Sequence, residues 1–252
     1  MCLILIAYRV HPGYPLILAA NRDEFYQRPT AGAAFWPDAP QILAGRDLVH
    51  HGTWLGITRS GRFAALTNYR DPRAVKRNAP SRGELVSGFL RSEIRSEDYL
   101  VRLRADAAVY NGYNLVFGDL DALYCYSNKS GEANKLASGI YGLSNHLLDT
   151  PWPKVVRGKE FLTEVVRKDD FTREDLFAIL ADRTQAIDEL LPDTGVGLAR
   201  ERMLSSIFIT SQRYGTCSST VLLIDANRKV SFAERSFKGG GGAEVDFDFE
   251  IE

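Results

Sequence analysis

The chain has 252 residues, 45% of them apolar, and a net charge of -1. This length and ordinary globular composition point to one large unit with ample core. With no basic bias and no apolar run long enough to span a bilayer, nucleic acid and a membrane span are not expected partners.

Residues 2–9 form an apolar run suited to a buried strand, broken by His11-Pro12-Gly13-Tyr14-Pro15. Leu16–Ala20 returns as a second strand, so the pair resembles a hairpin and carries Asn21-Arg22-Asp23-Glu24 back toward Cys2. Residues 26–40 contain Pro29, Pro37 and Pro40 and read as a covering loop. Residues 53–69 read as two strands joined at Ser60-Gly61, and the basic stretch 70–80 as a loop. Ser81, with Glu84 three positions on, has the capping-box pattern for a helix over 82–93. Ser96 opens a second helix over 97–108. Strands are predicted at 113–118, 122–127, 134–138 and 140–144. Helices follow from Pro151 to about Arg167 and, capped by Thr172, to about Ala181. Residues 186–203 carry no decisive pattern, and strands at 206–210, 218–225 and 229–236 close the domain near residue 238. Within the remaining 239–252, Gly239–Gly242 reads as a flexible joint. The alternating apolar and acidic residues of 245–251 suit an edge strand or a frayed terminus equally.

Blocks of strands separated by helix pairs exclude strict strand–helix alternation, and hairpin links imply antiparallel pairing. The predicted fold is α+β: a four-layer αββα sandwich of roughly ten strands, with two mostly antiparallel sheets face to face and helix pairs outside.

Cys2 lies directly behind the initiator methionine. Methionine removal would expose a thiol and an α-amine on one residue, and an amine with a pKa of about 8 can take the thiol proton near neutral pH. On position alone a buried cysteine acting as a small hydrophobe is the commoner fate. Asp23 is placed to hold the terminal ammonium, against the plainer reading of a solvated charged turn. His146, beside Asn145, is a candidate substrate contact, although loop packing is the usual role of such a histidine. His50 and His51 point to opposite faces with no third ligand, and no glycine run has the setting of a phosphate loop, so no metal or cofactor is expected. The three cysteines, Cys2, Cys125 and Cys217, are too few and too odd for a disulfide framework. Together with an N-terminus lacking a secretory leader's regions, they suggest a reducing, cytoplasmic setting.

Several motifs fall in a recognisable order. They are MCLI at the start, AANRDEFYQRPT at 19–30, GTWLGI at 52–57, TNYRDP at 67–72, SRGELV at 81–86, YGLSNHLLDTPWPKV at 141–155 and YGTCSSTVLLID at 214–225. With these the chain resembles the NRDE family, the family of transport and Golgi organisation protein 2. More distantly it is similar to N-terminal nucleophile hydrolases of the choloylglycine hydrolase and penicillin V acylase type, which cleave amide bonds with a cysteine freed by methionine removal. That resemblance implies the αββα stack, Cys2 as nucleophile, Asp23 as holder of its amine, and Asn68 and Asn145 as oxyanion donors. Two departures stand out. Ala20 occupies the place of an arginine those hydrolases carry ahead of their Asn-x-Asp. Cys217 stands where NRDE relatives commonly have arginine. Arg213 is a candidate substitute, and Arg22 should point to the face opposite Asn21 and Asp23. Arg22, Arg213 and His146 are therefore the candidate substrate contacts.

The leading expectation is an amide hydrolase-like protein acting on a small molecule. The alternative is a non-enzymatic protein that binds a lipid, acyl-CoA or haem-like ligand in the same pocket. A third, plainer reading is a scaffold in which the space between Cys2, Asp23 and Asn145 is filled.

Overall fold

The computed structural model describes residues 2–237 and 242–252. Met1 and most of the Gly239–Gly242 joint lie outside the described residues. Among the described residues, two sheets and five α-helices make up the fold. The strands are β1 (Cys2–His11), β2 (Tyr14–Phe25), β3 (Thr30–Trp36), β4 (Ala39–Asp47), β5 (Leu55–Thr58), β6 (Phe63–Asn68), β7 (Tyr113–Gly118), β8 (Leu123–Ser127), β9 (Ala133–Lys135), β10 (Gly139–Leu143), β11 (Tyr214–Ile224), β12 (Lys229–Ser236) and β13 (Ala243–Glu250). The helices are α1 (Gly83–Arg91), α2 (Ser96–Ala105), α3 (Pro153–Val166), α4 (Arg173–Leu180) and α5 (Leu198–Leu204).

One sheet runs β10-β1-β2-β11-β12-β13 and the other runs β3 to β9 in chain order, with every pairing antiparallel. The alternation of β1 explains why the layers stack as they do. Ile4, Ile6 and Tyr8 face the second sheet, where Leu55, Ile57, Phe63 and Val116 complete the inter-sheet core. Leu3, Leu5 and Ala7 face the other way, against Val155 and Leu162 of α3 and Leu176 and Leu180 of α4. A strand buried on both faces needs a continuous apolar run, which LILIAY supplies. A third cluster seats Val86 and Phe89 of α1 on Leu115 and Phe117 of β7. The helix–sheet–sheet–helix order of the expected sandwich follows. Gly158 lets α3 approach the sheet closely: a Cβ there would lie 2.9 Å from Leu5 Cδ2.

Several local expectations are corrected. Residues 26–40 are no loop, because their prolines bound strands instead of breaking them. Pro29 precedes β3, Pro37 sits in the turn after it, and Pro40 occupies the second position of β4. Segment 206–210 forms no strand. Its Ile207 carbonyl accepts from the Asn21 side chain, and its Phe208 N–H donates to Asp182 O, so its backbone is committed outside any ladder. Residues 186–203 hold a 3-10 turn at Asp188–Leu190 and the start of α5. Neither Ser81 nor Ser96 caps through its side chain, whereas Thr172 makes the expected cap as a full capping box with Asp175. The acidic tail is the edge strand β13, with Phe247 and Phe249 edge-on to Phe35 across the sandwich at 5.8 and 5.7 Å. No helix among the described residues is long and apolar enough to cross a membrane.

Candidate active site

The register of β1 against β2 sets Cys2 opposite Arg22. Paired residues of an antiparallel ladder share a face, so both point into the gap between the sheets. The Arg22 guanidinium lies 4.2 Å from the Trp54 ring centroid and 3.9 Å from Glu24. Asn21 and Asp23 point to the opposite, helix-covered face, as alternation requires.

Cys2 is half-buried and opens on a cavity of about 240 Å3. Asn68, at the end of β6, stands on its wall. Much of the remaining wall is charged: Arg22, Arg28 and Arg82 alternate with Glu24 and Asp47. Arg28 pairs with Asp47 at 2.5 Å, and Arg82 donates to Gly112 O at 2.9 Å. Burial pushes the Cys2 thiol up, so the protonated thiol is favoured at neutral pH and attack requires a base. The Ser144 hydroxyl donates to Cys2 O at 3.2 Å and so fixes the backbone behind the sulfur.

On the other face of β2, Asp23 is 1% exposed. Its Oδ1 accepts from the Thr216 hydroxyl at 2.7 Å, and its carbonyl accepts from Tyr214 at 3.2 Å. Burial raises the Asp23 carboxyl, and the nearby Lys154 ammonium opposes that rise. Lys154 opens the first turn of α3 and is 1% exposed. Its Nζ has no hydrogen-bond partner among the described residues, and burial drives its pKa down to about 8 against the pull of Asp23. Next to it Arg70 pairs with Glu201 at 2.6 Å, both side chains at most 5% exposed, and its guanidinium lies over Trp152 at 4.6 Å.

The predicted residues separate into groups. Cys2, Arg22, Asp23 and Asn68 all border the cavity. Asn145 does not: it is fully buried behind Asn68 and donates to the Asn68 carbonyl at 2.8 Å. His146 bonds Thr150 Oγ1 at 2.9 Å and packs between Tyr69 at 4.9 Å and Trp152 at 5.8 Å, away from the Cys2 cavity. Arg213 is exposed ahead of β11 and does not line that cavity. Cys217 is the extra residue of a β-bulge: Thr216 pairs with Asp23 and Ser218 with Arg22. The position expected to carry arginine thus holds a thiol that contacts Glu24 O at 3.5 Å, and a positive charge reaches the Cys2 side from Arg22 of β2 instead.

Arg82, Arg28, Arg70, Glu201 and Lys154 were not singled out by the sequence reading. Arg70, Arg82, Lys154 and Arg28 lie within the quoted motifs TNYRDP, SRGELV, PWPKV and NRDEFYQRPT. Glu201 carried no signal beyond its charge.

The Transport and Golgi organisation 2 family model matches residues 1–239. A Transport and Golgi organization protein 2 homolog from Bos taurus is 42% identical over 260 residues, covering 95% of this chain and 94% of that protein. The Homo sapiens homolog is 40% identical, covering 94% and 93%, and the Drosophila melanogaster protein is 30% identical, covering 95% and 93%. Among solved structures, a Caenorhabditis elegans ortholog of N-acylethanolamine-hydrolyzing acid amidase matches with TM-score 0.54 at 13% identity, over 88% of this chain and 92% of that one. A variant of conjugated bile acid hydrolase from Clostridium perfringens matches with TM-score 0.56 at 8% identity, over 98% and 92%. Identities this low speak for the fold alone. The chain belongs to the Transport and Golgi organisation 2 family and has the fold of N-terminal nucleophile amidases.

Proposed function

We propose that this member of the Transport and Golgi organisation 2 family is an N-terminal cysteine amidohydrolase acting on a small, polar amide. The observation that carries the reading is the placement of Cys2 at the start of β1, open to a charged cavity, with Asp23 on the neighbouring strand and Asn68 on the wall. Open space beside Cys2 and Asp23, although Asn145 does not border it, weighs against the scaffold reading. Its charged lining suits a polar substrate better than a lipid tail or haem.

With Met1 removed, the α-amine takes the thiol proton and the sulfur attacks the amide carbon. Asn68 donates to the oxyanion that forms, and one such donor is worth about 3 kcal/mol of barrier. Asn145 acts one step back by fixing the Asn68 backbone. The ammonium then protonates the leaving nitrogen as the C–N bond breaks, leaving a thioester on Cys2. Water, deprotonated by the same amine, releases the carboxylic acid and restores the thiol. Asp23 orients the amine. Lys154 places a second cation near that carboxylate and so favours the neutral amine, the form that can act as base.

Intact-mass spectrometry on Met-free protein mixed with an activated ester tests this directly. An acyl adduct is expected, and it should be absent in Cys2→Ala, whose stability moves by less than about 1 kcal/mol. Turnover of a cleavable amide should fall by about 10⁴-fold or more in the same variant. An adduct that survives Cys2→Ala, or none on Met-free protein, would sink the reading. Ligand-induced thermal stabilisation that persists in Cys2→Ala without any adduct would instead favour a binding protein for a lipid, acyl-CoA or haem-like ligand.

A further inference from the structure

Arg22 and Trp54 wall more than the Cys2 cavity. On their far side lies a second cavity of about 220 Å3, reached past Ala31 and Gly32 and lined further by Thr30, Ser218, Glu234 and Ser236. Two polar compartments of similar size therefore share one partition, a guanidinium stacked on an indole.

The second compartment has a charged back wall. Glu234 of β12 is 2% exposed. Its Oε1 accepts from Ala33 N at 2.8 Å and its Oε2 from the Thr220 hydroxyl at 3.4 Å. No salt bridge reaches it among the described residues. Burial pushes its carboxyl up. The buried Ser218 hydroxyl is near enough to Glu234 to bond it and temper that rise. The Arg22 charge on the partition eases the burial of this carboxylate without forming an ion pair with it, and a cation brought by a ligand would offset the remaining cost. The hydroxyls of Thr30, Ser218 and Ser236 add acceptors and donors around the same space.

We propose that this cavity is a binding site for a small primary ammonium group that also carries a hydroxyl, with Glu234 as its charge partner and Ser218 as a hydrogen-bond partner. Glu234 thereby doubles as a strut, through Ala33 N, and as the recognition group. The Arg22–Trp54 stack repels a second ammonium from the partition and leaves the uncharged end of the ligand toward Cys2. Binding here does not depend on Cys2 chemistry, so the proposal stands or falls apart from the hydrolase reading.

The test is a titration of the full chain with aminopropanol, followed by amide NMR shifts. Propanediol and hydroxypropionate serve as neutral and anionic companions of like size. The ammonium probe should saturate shifts at Gly32, Ser218 and Glu234 and bind at least about tenfold more tightly than the diol, a gap of about 1.4 kcal/mol. Glu234→Gln keeps an acceptor for Ala33 N and should lose about tenfold or more in affinity. Gly32→Phe is a second variant, independent of the strut. A Cβ at Gly32 would lie 3.6 Å from Glu234 Oε1 and 3.9 Å from Ser236 Oγ, so the ring enters the cavity and should abolish binding. Equal binding of the diol or the anion, or unchanged affinity in both variants, would overturn the proposal. The readout is binding, so a protein that hydrolyses nothing still tests it.

Discussion

The end of β2 has two faces with opposite fates. On the helix side, Asn21 donates to Leu180 O at 2.8 Å and Ile207 O at 2.9 Å and accepts from Ser219 Oγ at 2.6 Å. Asp23 and the Arg70–Glu201 pair continue that buried polar layer. On the inter-sheet side, Arg22 and Cys2 border open space in two cavities. One side commits most of its polar groups to bonds within the protein, with Lys154 Nζ the exception, while the other keeps charge and thiol available to a ligand. The difference teaches that a single strand can anchor a site with one set of side chains and equip it with the next.

Breaking the anchored side should cost stability. Arg70→Met leaves Glu201 buried without its ion-pair partner and should destabilise by about 3–5 kcal/mol in urea unfolding. Asn21→Leu strands two carbonyls and a hydroxyl, and a loss of about 2–4 kcal/mol is expected by the same measurement. The open side should respond more weakly. Arg22→Gln forfeits the contact with Trp54, and calorimetry should register only about 1–2 kcal/mol. A loss as large as that of Asn21→Leu would erase the contrast between the faces.

Lys154 gives the smallest and most specific effect, through pH. Its pKa is about 8 in the fold against an ordinary 10.5. Below the lower value both folded and unfolded chains carry the proton, and folding bears the cost of burying it. Between the two values the unfolded chain binds more protons, so stability rises with pH. Relative to Lys154→Met, the wild type should gain on the order of 1 kcal/mol by about pH 9, measured by denaturant titration across that range. A flat difference would show that Lys154 titrates normally.

Much of this was legible from composition and pattern. The opening hairpin announced itself because a strand buried on both faces must be apolar throughout, and the turn residues bounded it sharply. Alternation also foretold that Arg22 would leave the face of Asn21 and Asp23. Segment 26–40 misled because prolines at strand ends look, in sequence, like prolines that forbid strands. The loop Ser144-Asn145-His146 has no period, so its adjacency could not reveal that Asn145 reaches back to Asn68 while His146 packs between aromatic rings. Lys154 and Glu201 carry no sequence signal beyond their charge, and charged residues are usually exposed. Only tertiary packing buries them.

The tail gives the sandwich a bound end and an editable end. Far from Cys2, Ile251 N donates to Arg228 O at 3.1 Å and Glu252 N to Arg59 O at 3.0 Å, so main chain ties one sheet to the other there. Around the cavities side chains add further joins, Arg22 on Trp54 and Glu234 on Ala33 N, to the main-chain bond from Arg70 N to Asn145 O at 2.7 Å. Main-chain ties survive almost any substitution, whereas side-chain ties change with every one. Evolution can therefore rewrite the mouth of this fold, and with it the ligand, while the spine that keeps the sheets in register stays fixed.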